Sequence, residues 1–151
     1  MKSVRSHRES LILESSNSTL RGENGKRKTA KARVTVKEGD GTLRVNSRPL
    51  HVQREMVEER VKEPLVIAGE EVYEDLTIEV ESHGGGIQGQ AEAMRMAIAR
   101  ALVKHTGDDD LEREFRDYDR NMMVEDPRRT ETRKPSQSSK GARHKQQKSY
   151  R

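Results

Sequence analysis

The chain has 151 residues, with 30 Lys and Arg against 26 Asp and Glu, a formal net charge of +4, and neither Cys nor Trp. Charged residues make up 37%, well above the roughly 25% of an ordinary globular domain, and only 27 residues are Leu, Ile, Val or Phe. That is material for one modest core; it excludes a large enzyme with a deep apolar pocket, a disulfide framework, a zinc ribbon and thiol chemistry.

No apolar run approaches the roughly 20 residues of a membrane span, and no positive-then-apolar leader opens the chain. A soluble, intracellular protein without a membrane partner is therefore expected. The charge is divided unevenly. Residues 1–25 carry four basic and three acidic groups, residues 26–126 carry 17 and 22, and residues 127–151 carry nine and one.

The first 24 residues are rich in Ser, Asn and Arg, with Leu11, Ile12 and Leu13 as their only apolar patch. This composition predicts a disordered extension over 1–24. Ala32, Val34 and Val36 then alternate with Arg33, Thr35 and Lys37, the period of a half-buried strand. After the turn signal Glu38-Gly39-Asp40-Gly41, Leu43 and Val45 continue the alternation, and the pair is expected to form a hairpin. From Pro49 to Lys62 the spacing predicts a helix with Val52, Met56, Val57 and Val61 on one face. Pro64 is expected to interrupt it, leaving a second short helix over 65–68 before Gly69.

Leu76, Ile78 and Val80 predict a third strand, ended by Gly84-Gly85-Gly86. Residues 88–106 are the clearest helix, with Ala91, Met94, Ile98, Ala101 and Leu102 on one side and Gly107 as its stop. Asp108 to Asp110 suit the start of a last helix from Leu111 to about Tyr118. The expected fold class is α+β, a small sheet with helices packed on one face, in a globular domain over 25–126. Residues 127–151 contain no Leu, Ile, Val or Phe and cannot bury enough surface to offset their own ordering. They are expected to form an extended basic tail that neutralises phosphates and releases counterions.

Gly84, Gly86 and Gly89 spell a dinucleotide-type fingerprint between strand and helix. No strand-like run separates that helix from Asp108, however, and the chain has no room for a doubly wound sheet. No Gly-Lys-Ser/Thr follows, so it is not a P-loop either. What remains is a backbone that glycine lets turn from strand to helix, with exposed amides that can hold a phosphate. Lys26, Arg27, Lys28, Lys31 and Arg33 crowd five cations into eight residues at the edge of an acidic body, which points to phosphate contact rather than solubility. His7, His51, His83, His105 and His144 are scattered without metal spacing, and Asp108 to Asp110 lack the ligand pattern of a calcium loop. No nucleophile has a credible base. The expectation is a protein with no catalytic residues, no metal, no cofactor and no small-molecule substrate.

Gly25-Lys26-Arg27-Lys28-Thr29-Ala30-Lys31-Ala32-Arg33 resembles the entry strand of the universal small-subunit ribosomal protein nine family. Residues 84–91 and 97–102 resemble its glycine loop and central helix. Asp126-Pro127-Arg128-Arg129, with Glu131, Arg133 and Lys134, resembles its tail entrance. Lys140-Gly141-Ala142-Arg143 and the last five residues resemble the archaeal and eukaryotic form of its terminus.

The resemblance implies a fold like the second domain of ribosomal protein five. It implies a place in the head of the small ribosomal subunit, in the cytoplasm, among neighbouring head proteins. Small-subunit ribosomal RNA would then be bound by Lys26, Arg27, Lys28, Lys31, Arg33, Gly85, Gly86 and Gln88 on the body, and by Arg128, Arg129, Arg133, Lys134, Lys140, Arg143 and Lys145 in the tail. Lys148, Ser149, Tyr150 and Arg151 would approach the peptidyl-site transfer RNA. Residues 1–24 have no counterpart in the family, and the tail is less basic than is usual for it, with Ser136-Gln137-Ser138-Ser139 and Gln146-Gln147 where cations often crowd. The rival expectation is an RNA-processing enzyme or accessory protein of the same fold.

Overall fold

A computed structural model of the chain describes residues 20–132. Strands β1 (Leu20–Arg27) and β2 (Ala30–Glu38) form an antiparallel hairpin turned at Lys28 and Thr29, with Lys28 at a φ of 54°. Strand β5 (Leu76–His83) lies antiparallel along the other side of β2, placing Val34 beside Val80 and Val36 beside Ile78. Strand β3 (Leu43–Val45) runs parallel to β5, and the two-residue β4 (Arg48–Pro49) closes the sheet against β3. The order is β1-β2-β5-β3-β4.

The hairpin expected between residues 32–36 and 43–45 does not form, because β5 lies between those strands. Alternation says which face a strand buries and nothing about its neighbour. The loop after β2 is instead held to the start of β5, Gly39 N–H donating to the Asp75 carbonyl at 2.8 Å and Ile78 N–H to the Thr42 carbonyl at 2.8 Å. The hairpin that does form uses β1, whose sequence LRGENGKR offers almost no apolar alternation. β1 takes residues 20–24, assigned to the N-terminal extension on composition, into the sheet. Residues 1–19 lie outside the described residues.

A single 3-10 turn (Leu50–Val52) precedes helix α1 (Glu55–Ala68). Val52 is therefore not on the helix face, and it is 58% exposed. Pro64 does not interrupt the helix but lies inside it, so 65–68 are its last turn rather than a second helix. Pro64 has no N–H to give the Arg60 carbonyl, a loss that usually breaks a helix. Here Val61, Pro64 and Leu65 are all buried, and their packing holds the last turn in line. A short α2 (Glu70–Tyr73) leads into β5.

Helix α3 (Ile87–Thr106) crosses the sheet and ends at Gly107, whose φ of 64° is the left-handed stop expected of glycine. Ala91, Met94, Ile98, Ala101 and Leu102 are buried as their spacing predicts. Ala93, Ala97 and Ala99 are buried as well: the backbone at Ala93 and Ala97 is approached closely by Gly25 of β1, and α1 and the last helices also pack on α3. Asp108 caps α4 (Asp109–Tyr118), accepting from Asp110 N–H at 2.9 Å. A final turn, α5 (Arg120–Met123), contributes the buried Met122.

The result is the expected α+β class: a mixed five-stranded sheet with helices on one face. The alternation along β2 (Ala30, Ala32, Val34, Val36 inward) and β5 (Leu76, Ile78, Val80 inward) puts the core between sheet and α3. Among the described residues no element covers the opposite face, where Lys31, Arg33 and Lys37 are exposed.

Candidate nucleic-acid interface

Three backbone features meet at one end of the sheet: the Lys28–Thr29 turn, the loop Gly84–Gly86, and the start of α3. Gly84 and Gly85 have φ values of 75° and 64°, which side chains resist. A Cβ on Gly84 would stand 2.7 Å from the Thr29 carbonyl oxygen, and one on Gly85 would stand 3.0 Å from Ala30 Cβ. These glycines let the hairpin turn close onto the strand-to-helix passage. Gly86 differs: a Cβ there meets nothing within 4 Å. Gln90 Nε2 donates to the Gly84 carbonyl at 3.0 Å and fixes the loop. No side chain caps α3, so among the described residues the amides at its start have no capping partner. That is the polarity a phosphate needs.

A groove of about 750 Å³ opens beside this loop. It is lined by Arg27, Lys28, Thr29, Gly85, Gly86 and Gln88 together with Met56, Arg60, Glu92, Arg95, Asp119 and Asp126. Part of the lining is a structural ion cluster. Arg95, 3% exposed, donates from Nη1 to Asp119 Oδ2 at 2.7 Å. Its Nε stands 2.5 Å from Glu63 Oε2, an ion pair without the alignment of a hydrogen bond. Burial works against the Arg95 charge, but the Asp119 hydrogen bond and the Glu63, Asp119 and Glu92 carboxylates outweigh it and raise its pKa further. Burial likewise pushes Asp119 up; the bonds from Arg95 and the Asn121 amide, with the Arg95 and Arg60 charges, hold it below the usual carboxylate range.

The root of the tail is fastened beside the same hairpin. Asp126, 5% exposed, pairs with Arg27. Its carboxylate also accepts from the Arg128 amide at 2.9 Å, from Arg128 Nε at 3.0 and 3.1 Å, and from Arg128 Nη2 at 2.7 Å. Arg129 donates to Glu125 Oε1 at 2.6 Å. Arg100 joins three elements, donating to the Met123 carbonyl at 2.9 Å and to the Asn24 carbonyl on β1 at 2.9 Å. The chain therefore leaves the body next to β1.

The residues expected to bind RNA fall into four groups. Arg27, Lys28, Gly85, Gly86 and Gln88 meet at the groove. Lys26, Lys31 and Arg33 belong to the same hairpin but lie on the sheet face away from the helices, as their register shows. Arg128 and Arg129 are at the tail root, each engaged with a carboxylate. Arg133, Lys134, Lys140, Arg143, Lys145, Lys148, Ser149, Tyr150 and Arg151 lie outside the described residues. Sequence reasoning takes Asp126 only as part of the tail entrance, without its Arg27 partner, and does not single out Arg95 at all. Their pairing joins positions far apart in the chain, and neither period nor charge run carries it. Among the described residues no group of His, Asp and Glu is placed to hold a metal ion, and no helix is long and apolar enough to cross a membrane.

A family model described as ribosomal protein S9/S16 matches residues 25–151. The small ribosomal subunit protein uS9 of Methanococcus maripaludis strain C5 is 46% identical over 128 residues, covering 84% of this chain and 95% of that protein. The protein of the same name from Halobacterium salinarum NRC-1 is 46% identical over 128 residues, covering 84% and 96%.

Proposed function

Since the chain belongs to the ribosomal protein S9/S16 family, and is thus a non-enzymatic constituent of the small subunit of the cytoplasmic ribosome, we propose that it binds ribosomal RNA in the subunit head and extends its tail to the peptidyl-site transfer RNA. The body, with a fold of the ribosomal protein five second-domain type, presents the hairpin turn and the start of α3 to the phosphate backbone. The tail, Pro127 onward, neutralises further phosphates, and Lys148, Ser149, Tyr150 and Arg151 reach the transfer RNA. Contacts of this kind position the protein; the shape of the folded RNA selects the place. Neighbouring head proteins complete its surroundings.

The observation that carries this reading is where charge goes unanswered. The body is acidic, yet Lys28, at the turn beside the uncapped amides of α3, has no ion pair among the described residues. The tail root is fastened next to it through Asp126. Turn, helix start and tail thus form one tract suited to a polyanion.

The test is filter binding of ribosomal RNA against salt, combined with subunit reconstitution. Neutralising about six to nine phosphates gives a log–log salt slope of about −4 to −8. A flat response defeats the mechanism. Deleting residues 148–151 is expected to leave assembly intact and to weaken retention of peptidyl-site transfer RNA; unchanged retention removes that role from the tail.

A further inference from the structure

Two arginines tie the chain that follows α5 to β1. Arg100 of α3 donates from Nη1 to the Asn24 carbonyl and from Nη2 to the Met123 carbonyl, both at 2.9 Å. Arg27 pairs with Asp126. Asn24 and Arg27 are three residues apart on β1, and Met123 and Asp126 are three residues apart beyond α5. Residues 123–126 therefore run beside β1 and in its direction, toward the Lys28–Thr29 turn. One attachment leaves a pivot; two in the same order fix a direction. Asp126 also sets the next step. Its Oδ1 accepts from the Arg128 amide at 2.9 Å across Pro127, an Asx turn, and Arg128 Nε and Nη2 fold back on Oδ2 at 3.0 and 2.7 Å. The Asp126 side chain is 7% exposed. A carboxylate among these cations repels phosphate, so its place is explained by the course of the chain and not by affinity for RNA.

From this we infer that Asp126 is the positioning residue of the tail. With Arg27 it forms a latch that, together with the Arg100 clamp, aims the chain past the hairpin turn, and it delivers residues 148–151 to the transfer RNA without touching that RNA itself. The inference rests on the reading of the tail as a transfer-RNA contact, and it deepens that reading by naming what steers the tail. It also moves Arg27 out of the set of phosphate contacts, since the charge of Arg27 is already answered by Asp126. A segment with no core of its own takes its course from the point where it is held. The latch is that point, and it is made of a strand residue and a buried acid 99 positions apart in the chain.

The chain has no cysteine and Thr132 is exposed, so Thr132→Cys can carry a hydroxyl-radical probe without background. In reconstituted subunits the probe is expected to cut one short RNA segment, and adding Asp126→Asn is expected to move or spread those cuts. Asp126→Asn makes the protein more basic by one charge, so in filter binding the salt slope for ribosomal RNA stays or steepens. Retention of peptidyl-site transfer RNA by fully assembled subunits is nevertheless expected to fall, by about half or more of the loss that deleting residues 148–151 causes. Arg27→Gln is expected to give the same loss at the wild-type slope, and the double variant no more than either single one, as for two residues that act as one unit. Unmoved cuts, full retention, or a slope about 1 shallower for Arg27→Gln would each overturn the latch. So would failure of both variants to enter the subunit, which would make the pair part of the fold alone, and so would absence of cuts with Asp126 intact. If the deletion itself leaves retention unchanged, the transfer-RNA reading has failed, and the cuts from position 132 still decide whether Asp126 steers the tail.

Discussion

Arg95, on the helix side of the sheet, has Glu63, Glu92 and Asp119 around it and only 3% of its surface in solvent. Lys31, on the open side, is exposed, and its cross-strand neighbours are Lys26 and His83. Both carry one positive charge, and a count of 17 basic and 22 acidic groups in residues 26–126 treats them alike. The structure separates them. Acids gather where α1, α3 and the α4–α5 junction pack, and at the far end of the sheet around Glu38, Asp40, Glu74 and Asp75; at the hairpin end Asp126 answers Arg27, while Lys26, Lys28 and Lys31 have no ion pair among the described residues. In an acidic body the useful quantity is therefore local: which cations have no carboxylate within reach.

The comparison breaks most sharply at Arg95. Replacing it with Met leaves Glu63 and Asp119 facing each other without their shared cation. Loss of one partner from a buried ion cluster costs about 3 kcal/mol, which for a domain of this size lowers the melting temperature by roughly 10–20 °C. Below that melt, the salt slope for RNA should equal that of the unmodified protein. Thermal melts and filter binding on the same samples check both halves. An Arg95→Met protein that melts normally but binds RNA with a shallower slope would put Arg95 in the wrong class.

Much of this architecture is legible in the sequence. Period two at Val34 and Ile78, period 3.6 from Ala91 to Leu102, and the Gly107 and Asp108 signals rest on side chains that pack against one continuous core. Local chemistry repeats there, and it repeats visibly. Three features were not legible. β1 holds its place by pairing with β2 and by glycine against α3, not by an apolar stripe. Pro64 stays inside a helix because its neighbours are buried. The partner of β2 is β5 because the connection from β3 returns through α1, a choice made by tertiary packing. At the candidate site, the basic run and the glycine loop were visible as text, but the division of the run between two faces follows from register alone.

The glycines sharpen the same lesson at a smaller scale. A Cβ on Gly25 would stand 2.0 Å from the Ala93 carbonyl oxygen and 2.9 Å from the Ala97 amide, both backbone atoms of α3. Gly25→Ala should therefore cost about 1–3 kcal/mol of stability through overpacking, with RNA affinity following only the unfolded fraction. Gly86→Ser is the opposite case. There is room for the side chain, and serine at a helix start changes stability by only a few tenths of a kcal/mol. Its hydroxyl would occupy an amide that otherwise faces a phosphate, so RNA binding should weaken while the melt stays in place. Equal effects of the two variants on melting would mean that the loop at Gly86 is structural in the same way as Gly25.

The smallest effect lies in the pH dependence of the ion cluster. Asp119 is held below the usual carboxylate range in the folded protein, so the folded state binds its proton less readily than the unfolded chain does. A depressed folded pKa contributes stability above the unfolded value, about 3.9 for aspartate, and loses it as pH falls through the lower folded value. The Asp119 side chain is 33% exposed, and Glu63 and Glu92 still face Arg95 without it, so the contribution is at most about 1 kcal/mol. Asp119→Asn keeps an oxygen for the Asn121 amide, which Asp119 Oδ1 accepts from at 2.9 Å, and removes the charge together with the Oδ2 acceptor of the Arg95 hydrogen bond. The variant should be slightly less stable than the unmodified protein at pH 7, with the gap closing below about pH 4. Denaturant melts across that interval measure it. A constant gap would mean that Asp119 acts through its shape rather than its charge, and that the cluster around Arg95 differs from the hairpin cations in packing more than in electrostatics.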